Sequence, residues 1–282
     1  MTNNNTQSKP ICLFDSGIGG LTVLKKLINK FPNENYIYLA DLARVPFGDK
    51  TKEEIKNIVD EIIEWLARFN PKAIVMACNT SSALLSSQLP ALSSRLNVSI
   101  YGMIEKCAKE ISKSNHKKVS VWATKFVVNN NAYKKTIQDN NPNIYVEEIA
   151  CPKLVPMIEG LSFTLEERNK IINEYLNQTS KDSNALILGC THYPLILEDL
   201  KKLTSMEIIN PVDHLTNGLE RDLPQQVSTL QQVPTPQQIS NQISLYTTAQ
   251  KEKLERFAKL YLNLEENINV NLITLDKAEK VF

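Results

Sequence analysis

Residues 73–80 read AIVMACNT, and residues 185–192 read ALILGCTH. Each stretch is an apolar run of strand length that leads into a cysteine, Cys78 or Cys190, and then into polar residues of the kind that cap a helix. Two matching strand-to-helix corners indicate an internal duplication. If the two copies pack face to face, their thiols meet across one cavity, which suits adding a proton to one side of a carbon and removing one from the other.

Strands and helices alternate regularly on either side of both corners. Continuous apolar strands between amphipathic helices predict a parallel sheet that is covered on both faces. We therefore expect an α/β fold of two pseudo-symmetric, doubly wound domains with mainly parallel sheets. The active site is expected in the cleft between them, beyond the carboxyl ends of the strands. The predicted strands are 11–14, 36–40, 73–77, 119–123, 146–150 and 185–189, and the predicted helices are 21–31, 52–69, 81–92, 131–138 and 165–178.

The ends of the chain differ from this pattern. Residues 1–10 are polar and Asn-rich, which predicts a disordered leader, and residues 219–242 are rich in Gln, Pro and Thr, which predicts an irregular connection. Strands at 244–247 and 270–274 around a helix at 251–262 are too little to fold alone, so we expect them to complete the first sheet. The predicted domains are 11–98 together with 210–282, carrying Cys78, and 99–209, carrying Cys190.

The composition argues against several classes of protein. The 282 residues include 32 basic and 31 acidic side chains, a net charge of +1, so we expect no nucleic-acid partner and no anionic membrane surface. No apolar run approaches the roughly 20 residues of a membrane helix. Five cysteines without a CxxC pair, and no signal peptide, predict free thiols in a reducing cytoplasm. The histidines and cysteines lack ligand spacing, so no metal is expected.

The two corners carry the residues best suited to acid–base chemistry. A cysteine at a helix N-terminus is expected to have a lowered pKa, close to working pH. His192 could relay or donate a proton near Cys190, with its own pKa held down by the helix end. A single buried cysteine more often acts as a small apolar side chain, and a lone histidine can simply cap a helix or fill a core, so the prediction depends on the matched pair. No chemical role is expected for His116 or His214.

A glycine-rich corner at residues 14–20, FDSGIGG, follows the first predicted strand. Its glycines let the backbone approach a ligand, and its amides can bind an anion. A dinucleotide fingerprint, with Asp41 as the ribose-binding acid, is the rival interpretation. The spacing, however, is GxGG rather than GxGxxG, and Asp15 would repel a pyrophosphate. We favour a small ligand with amino or carboxylate groups, which Asp15 positions or deprotonates.

Further candidates lie at neighbouring strand ends. Pro46, Phe47 and Gly48 follow the second strand and either donate backbone amides to a ligand or form an ordinary turn. Thr124 takes, in the second half, the place of Asp15. Glu159 ends an apolar stretch, where its carboxylate is either a supporting acid or base or a solvated helix end.

Taken in order, these motifs resemble the glutamate racemases, the cofactor-independent enzymes of the Asp/Glu racemase superfamily. The resemblance extends over nearly the whole chain from Ile11 onward. It is carried by 15–20, DSGIGG; 46–48, PFG; 77–80, ACNT; and 189–195, GCTHYPL, with support from 102–105, GMIE, and from Cys151, Pro152 and Glu159.

The resemblance implies an isomerase that converts L-glutamate to D-glutamate for peptidoglycan synthesis, without a cofactor, as a cytoplasmic homodimer. In the implied mechanism one cysteine, as thiolate, removes the α-proton, and the other, as thiol, protonates the opposite face. Cys78 would face D-glutamate and Cys190 L-glutamate. The implied catalytic residues are Cys78, Cys190, Asp15, His192 and Glu159, and the implied substrate-binding residues are Asp15, Ser16, Pro46, Phe47, Gly48, Asn79, Thr80, Thr124, Thr191 and His192.

The chain departs from the family pattern at two places in the expected substrate grip. Phe47 replaces a tyrosine, and Val127 replaces a threonine that could bind a carboxylate. A lost hydrogen bond to a charged group is worth about 1.5–3 kcal/mol, so weaker substrate binding is expected. An aspartate racemase is one alternative, although residues 191–194, THYP, favour glutamate. A regulatory protein on the same scaffold is another, and a cysteine hydrolase would leave the second cysteine unexplained.

Overall fold

The computed structural model describes residues 9–160, 163–223, 242–262 and 269–275. The predicted leader lies outside the described residues from 1 to 8, and the predicted irregular connection lies outside them from 224 to 241.

The described chain forms two parallel sheets. The first contains β1 (Ile11–Asp15), β2 (Tyr36–Ala40), β3 (Ala73–Met76), β4 (Ser99–Gly102), β9 (Ile243–Thr247) and β10 (Val270–Leu272) in the order β10-β9-β2-β1-β3-β4. The second contains β5 (Lys118–Ala123), β6 (Tyr145–Ala150), β7 (Ala185–Gly189) and β8 (Glu207–Ile209) in the order β6-β5-β7-β8. The orders β2-β1-β3-β4 and β6-β5-β7-β8 are the same, which confirms the predicted duplicated α/β fold.

Helices cover both sheets. They are α1 (Leu21–Lys30), α2 (Lys52–Ala67), α3 (Asn79–Leu85), α4 (Leu89–Leu96), α5 (Met103–Ser112), α6 (Lys125–Asn129), α7 (Ala132–Asn140), α8 (Leu154–Glu159), α9 (Leu165–Leu176), α10 (Leu197–Leu203), α11 (Pro211–Asp222) and α12 (Lys251–Leu262).

Burial on both faces explains the apolar character of the central strands. Every residue of β1, ICLFD, and of β7, ALILG, is buried, because helices pack on each side of the sheet. The long helices α2 and α9 begin at capping boxes, in which Thr51 pairs with Glu54 and Thr164 with Glu167. Local capping and apolar periodicity therefore agree at the helices that are easiest to predict.

The carboxyl-terminal segment joins the first sheet as predicted. β9 pairs in parallel with β2 along its whole length, and β10 pairs with β9. The side chains of Leu254 and Phe257 on α12 enter the same apolar core as α1. The first sheet is therefore built from both ends of the chain, with the second sheet inserted between β4 and β9.

Some elements differ from the sequence prediction. The predicted helix at 81–92 is two helices, α3 and α4, separated by a 3₁₀ turn at Ser86–Gln88. Pro90 lies in the first turn of α4, where its missing N–H costs nothing, so the break precedes it. β4, which the predicted boundary at residue 99 assigned to the second domain, pairs with β3 in the first sheet. The division into domains otherwise stays a prediction.

Candidate active site

A cavity of about 250 Å³ lies between the two halves, at the carboxyl ends of their strands. Cys78 and Cys190 both line it. Glu159 is not part of the lining, and its hydrogen bond with His192 connects it to the cavity. The predicted residues that line the cavity are Asp15, Ser16, Pro46, Phe47, Gly48, Cys78, Asn79, Thr80, Thr124, Cys190, Thr191 and His192.

The lining also contains residues that were not predicted. Cys151 follows β6, and its position could have been found, because the residue after any strand of a parallel sheet lies at the same sheet edge. Lys125 begins α6 beside Thr124, where a charged side chain on its own is typical of a solvated helix. The other unpredicted lining residues are Val45, Asp49, Pro152, Val155, Pro156 and Tyr193.

Cys78 follows β3 and is buried, with 4% of the residue exposed. Its Sγ lies 3.6 Å from Ser16 Oγ. Burial, followed by the nearby charge of Asp15, raises the pKa of Cys78 to about 11, although hydrogen bonds from Ser81 and Ser16 oppose the rise. The predicted lowering of the Cys78 pKa is therefore wrong, because desolvation outweighs the amides of a helix of only seven residues.

Polar residues after the two cysteines do not cap helices as predicted. Cys78 itself is the N-cap of α3, without a side-chain capping bond, so Asn79 and Thr80 belong to the first turn. At the second corner His192 precedes a 3₁₀ helix at Tyr193–Ile196, also without a side-chain capping bond. The side chains of these residues are directed instead to other elements around the cavity.

Asp15 ends β1 and is almost fully buried beside the cavity. Its Oδ2 accepts hydrogen bonds from Gly20 N at 2.8 Å and from Thr191 Oγ1 at 3.3 Å. Its Oδ1 has no hydrogen-bond partner within the described part of the chain. Burial raises the pKa of Asp15, and the charge of His192 and the amide bonds act against that rise. Asp15 is thus placed to exchange a proton or to receive a donor.

His192 connects Cys190 to a carboxylate. The Nδ1 atom of His192 lies 3.9 Å from Cys190 Sγ, and its Nε2 atom lies 2.8 Å from Glu159 Oε1. Burial acts to lower the pKa of His192, but the hydrogen bonds to Cys190 and Glu159 outweigh it and raise that pKa to about 10. The predicted low pKa of His192 is therefore wrong, since the hydrogen bonds with Cys190 and Glu159 are a stronger influence than a four-residue 3₁₀ helix.

Glu159 is held by charges on both sides. Its Oε2 accepts a hydrogen bond at 2.7 Å from Nζ of Lys253, which lies on α12 in the first half. Burial acts to raise the pKa of Glu159, but His192 and Lys253 together lower it to about 2. The carboxylate is therefore ionised, and it pairs with a charged imidazolium that lies next to Cys190 Sγ.

Gly19 permits the close approach of the two corners. A Cβ atom at Gly19 would lie 2.4 Å from Thr191 Oγ1 and 2.5 Å from His192 Nδ1. The glycines of this corner were predicted to let the backbone approach a ligand. At Gly19, however, the imidazole of His192 and the hydroxyl of Thr191 occupy that space.

Two further hydrogen bonds join the halves around the cavity. Tyr133 Oη on α7 donates to Asn79 Oδ1 at 2.7 Å, and both side chains are buried. The Asn79 Nδ2 atom is buried with no partner among the described residues, so its N–H groups are available to a ligand. Thr80 Oγ1 lies 3.1 Å from Thr124 Oγ1. Thr124 also caps α6 by accepting from Val127 N.

The two departures from the family pattern lie in different places. Phe47 lines the cavity, but the residue is only 1% exposed and belongs to the apolar core beside the first sheet. Val127 does not line the cavity; it is fully buried in the core of the second half. The residues of this corner that line the cavity are Thr124 and Lys125.

Among the described residues no group of three or more His, Cys, Asp or Glu side chains has the arrangement of a metal site. Within the same part of the chain, no helix is both long and apolar enough to span a membrane.

The chain is similar to known proteins of one family. The profile of the Asp/Glu/Hydantoin racemase family matches residues 19–218. The chain is 38% identical to the glutamate racemase of Fusobacterium nucleatum over 207 residues, which cover 73% of this chain and 77% of that one.

Solved structures of glutamate racemases are also similar to the chain. Glutamate racemase isoform RacE1 from Bacillus anthracis superposes with a TM-score of 0.83 at 29% identity, covering 95% of this chain and 98% of that one. The glutamate racemase from Francisella tularensis, solved in complex with D-glutamate, gives a TM-score of 0.81 at 30% identity, covering 95% and 98%.

Proposed function

The chain belongs to the Asp/Glu/hydantoin racemase family, and on that premise we propose that it interconverts L- and D-glutamate by proton transfer between two cysteines. The observation that carries the proposal is the position of Cys78 and Cys190. They follow the equivalent strands β3 and β7 of two similarly ordered sheets, and both line one cavity. A carbon held between them can lose a proton to one thiolate and gain a proton from the other thiol.

The surroundings of the two cysteines are unequal. Cys190 Sγ lies 3.9 Å from the imidazole of His192, whereas burial and the charge of Asp15 raise the pKa of Cys78 to about 11 and keep it a thiol. In this arrangement the thiolate of Cys190 takes the α-proton of L-glutamate. The electron pair left on the α-carbon then takes the proton of Cys78 on the opposite face, which gives D-glutamate. The reverse reaction exchanges the two roles.

Substrate binding falls to the remaining polar residues of the cavity. The free N–H groups of Asn79 and the hydroxyls beside it are preorganised donors for the carboxylates of glutamate, and such donors stabilise the charge that develops when the α-proton leaves. Asp15 Oδ1 is an acceptor for the substrate ammonium group. The residues to which we assign substrate binding are Asp15, Ser16, Pro46, Phe47, Gly48, Asn79, Thr80, Thr124, Thr191 and His192.

The same proposal includes the cellular setting that the family implies. We assign the reaction to the cytoplasm, where it supplies D-glutamate for peptidoglycan synthesis, and we expect the working unit to be a homodimer. Sedimentation velocity of the purified protein measures the second expectation directly: a single species of twice the 31.9 kDa chain mass agrees with it, and a monomer at assay concentration contradicts it.

Incubation of each glutamate enantiomer in deuterium oxide, without added cofactor, tests the reaction. We expect the opposite enantiomer to accumulate with deuterium at the α-carbon, and we expect L-aspartate to react far more slowly. No exchange with either enantiomer of glutamate would contradict the proposal, and faster exchange with aspartate would reassign the substrate.

Single serine variants test the two-base assignment. Cys78→Ser and Cys190→Ser are each expected to abolish racemisation, because a serine hydroxyl neither takes nor gives the α-proton at neutral pH. Cys107→Ser is the matched control, since Cys107 is also a buried free cysteine but lies in the core of the second half. Normal racemisation by either active-site variant would show that the two-base assignment is wrong.

A further inference from the structure

We propose that Lys253 is a positioning residue for Cys190, which it supports through Glu159 and His192. The inference rests on the proposed function, because it assigns a source to the asymmetry between the two cysteines. Lys253 is far from Cys190 in sequence and lies on α12, an element of the first half.

The contacts form a continuous line from α12 to the cavity. Lys253 Nζ lies 2.7 Å from Glu159 Oε2, the other carboxylate oxygen Oε1 lies 2.8 Å from His192 Nε2, and His192 Nδ1 lies 3.9 Å from Cys190 Sγ. Because Glu159 uses one oxygen for each neighbour, the position of Lys253 fixes the rotation of the carboxylate. The rotation of the carboxylate in turn fixes the plane of the imidazole.

Exposure indicates that the ion pairs are shielded. The side chains of Lys253 and Glu159 are 25% and 20% exposed, and that of His192 is 6% exposed. The neighbouring ion pair Lys251–Glu255 on the same helix spans 3.7 Å, with side chains 41% and 31% exposed. Charge pairs that are partly removed from water are screened less, so Lys253 acts on Glu159 more strongly than a surface lysine would.

The net charge of the cluster determines how the loss of Lys253 would affect Cys190. Lys253 and Glu159 form one neutral pair, and the imidazolium of His192 with the thiolate of Cys190 forms a second. Without Lys253, the thiolate form of the cluster has one negative charge in excess. Removing Lys253 should therefore disfavour the Cys190 thiolate, even though His192 itself would be held more strongly as a cation.

Other titratable groups around this line do not take the place of Lys253. Asp15 faces His192 from the glycine corner, and Cys151 faces Cys190 from the end of β6, and both would add negative charge when ionised. Tyr261 faces Glu159 from α12; burial and the charge of Glu159 raise its pKa, and Arg168 opposes that rise. Tyr133 and Tyr193 face Cys190, Tyr38 faces Glu159, and burial raises the pKa of each of these tyrosines. Among all these groups, Lys253 is the cation that reaches Glu159 from the first half.

The test uses Lys253→Met and Lys253→Arg in the full chain, with Lys251→Met as the matched control. Lys251→Met removes an equal charge and an ion pair from the same helix without touching Glu159. Each protein is treated with iodoacetamide between pH 5 and 10, and alkylation of Cys190 and Cys78 is followed separately by mass spectrometry of their peptides. Turnover of L-glutamate is measured over the same pH range.

We expect Lys253→Met to move the pH midpoint of Cys190 alkylation upward by about one unit, a tenfold loss of thiolate at a given lower pH. The rising limb of turnover should move with it, while the alkylation of Cys78 stays unchanged. Lys253→Arg and Lys251→Met should each have the wild-type pH midpoint of Cys190 alkylation. An unchanged midpoint in folded Lys253→Met, or an equal change in Lys251→Met, would overturn the proposal.

The alkylation measurement is separate from the test of the proposed function. Alkylation requires no substrate, so failure of the deuterium-exchange experiment leaves the Cys190 profile measurable. If Lys253→Met does not give the circular dichroism spectrum of the wild type, Lys253→Gln and Lys253→Arg provide the comparison between a neutral and a charged side chain.

Discussion

At the scale of single residues, the two cysteines differ in the charges around them although they stand on equivalent strands. Cys78 is accompanied by the carboxyl group of Asp15, and Cys190 by a histidine whose charged form is stabilised by its hydrogen bond to Glu159. A duplicated scaffold alone would treat the two faces of a substrate carbon alike. The unequal neighbours therefore distinguish one enantiomer from the other.

Tyr133→Phe tests the hydrogen bond that orients Asn79. The change leaves Asn79 Oδ1 buried without its 2.7 Å donor, which should lower the free energy of unfolding by about 1–3 kcal/mol. It should also raise KM for glutamate, because the amide is free to turn its N–H groups away from the cavity. Denaturant unfolding and steady-state kinetics measure the two effects.

Tyr36→Phe is the matched control for Tyr133→Phe. The hydroxyl of Tyr36 donates to the carbonyls of Leu27 and Phe31, far from the cavity. A stability loss without a change in KM is expected there. An unchanged KM in Tyr133→Phe would show that Asn79 does not depend on Tyr133 for its orientation.

Gly19→Ala tests the close contact of the two corners. The new methyl group would lie 2.4–2.7 Å from atoms of Thr191 and His192, too close for either half to keep its place. We expect racemisation to fall by at least about a hundredfold, since a displacement of about 1 Å at a reacting group costs this much. Assays of kcat and of His192 resonances by NMR measure the effect.

Gly218→Ala provides the comparison for Gly19→Ala. Its methyl group on α11 would meet the flexible side chain of Lys106 at 2.8 Å, which can move. Near-normal activity is expected for this variant. Equal activity of the two variants would mean that the contact between the corners is not needed.

At the scale of elements, the fully buried strands were easier to predict than the short strand β4 and the helix α5 that follows it. The apolar runs of β2 and β7 were predicted with the bounds that the structure gives, Tyr36–Ala40 and Ala185–Gly189, because burial on both faces leaves an unmistakable pattern. β4, SIYG, is too short and too mixed for that signal, and α5 was read only as part of a motif.

The chemistry of the site was harder to predict than its membership. Residues at strand ends could be collected into one cavity from the topology rule for parallel sheets. The pKa values of Cys78 and His192 could not be predicted from the sequence. That of Cys78 depends on burial, and that of His192 depends also on Glu159, which approaches it from another part of the chain. Lys253 carried no signal in the sequence for the same reason.

The junction of β6 with α7 gives a pH-dependent contribution to stability. Glu148 Oε1 accepts from Tyr133 N at 3.0 Å and from Lys134 N at 3.4 Å, at the start of α7. Burial raises the pKa of Glu148 from 4.5 to about 7, and the amide bonds only partly oppose it. Since the folded-state pKa is above the unfolded value, the contribution is fully present below pH 4.5 and is lost as the pH rises through about 7.

Glu148→Gln should therefore flatten the fall in unfolding free energy between pH 5 and pH 8. Glu147→Gln is the control, because Glu147 directly precedes Glu148 in β6 and accepts hydrogen bonds from Ser120 and Ser180 instead. Urea unfolding at the two pH values gives the slopes. A slope in Glu148→Gln as steep as that of the wild type would exclude Glu148 as its source.

At the scale of the whole molecule, the two halves are expected to unfold together. Buried or partly buried contacts cross between them on several sides of the cavity, including Tyr133–Asn79, Thr191–Asp15 and Lys253–Glu159. Each lies in the described part of the chain and joins elements of different sheets. Loss of structure in one half removes the partners of the other.

Leu254→Ala tests this coupling with a reporter in the opposite half. Leu254 is fully buried on α12 in the first half, and its truncation should cost about 2–5 kcal/mol. The chain has two tryptophans, so a Trp65→Phe background leaves Trp122 of β5 as the fluorescent reporter in the second half. We expect the Trp122 midpoint in urea to fall. Leu200→Ala, buried on α10, should lower it similarly, and a Trp122 midpoint that responds only to Leu200→Ala would show independent halves.

The insertion of the second sheet between β4 and β9 has a consequence for the order in which the protein is made. β2 cannot pair with its neighbour β9 until every strand of the second sheet has left the ribosome, because those strands precede β9 in the chain. Lys253 emerges later still, after Cys78, Glu159, Cys190 and His192 are all present. A nascent chain therefore has both thiols before it has the last charge of its acid–base cluster, and this cluster is completed only after α12 has been made.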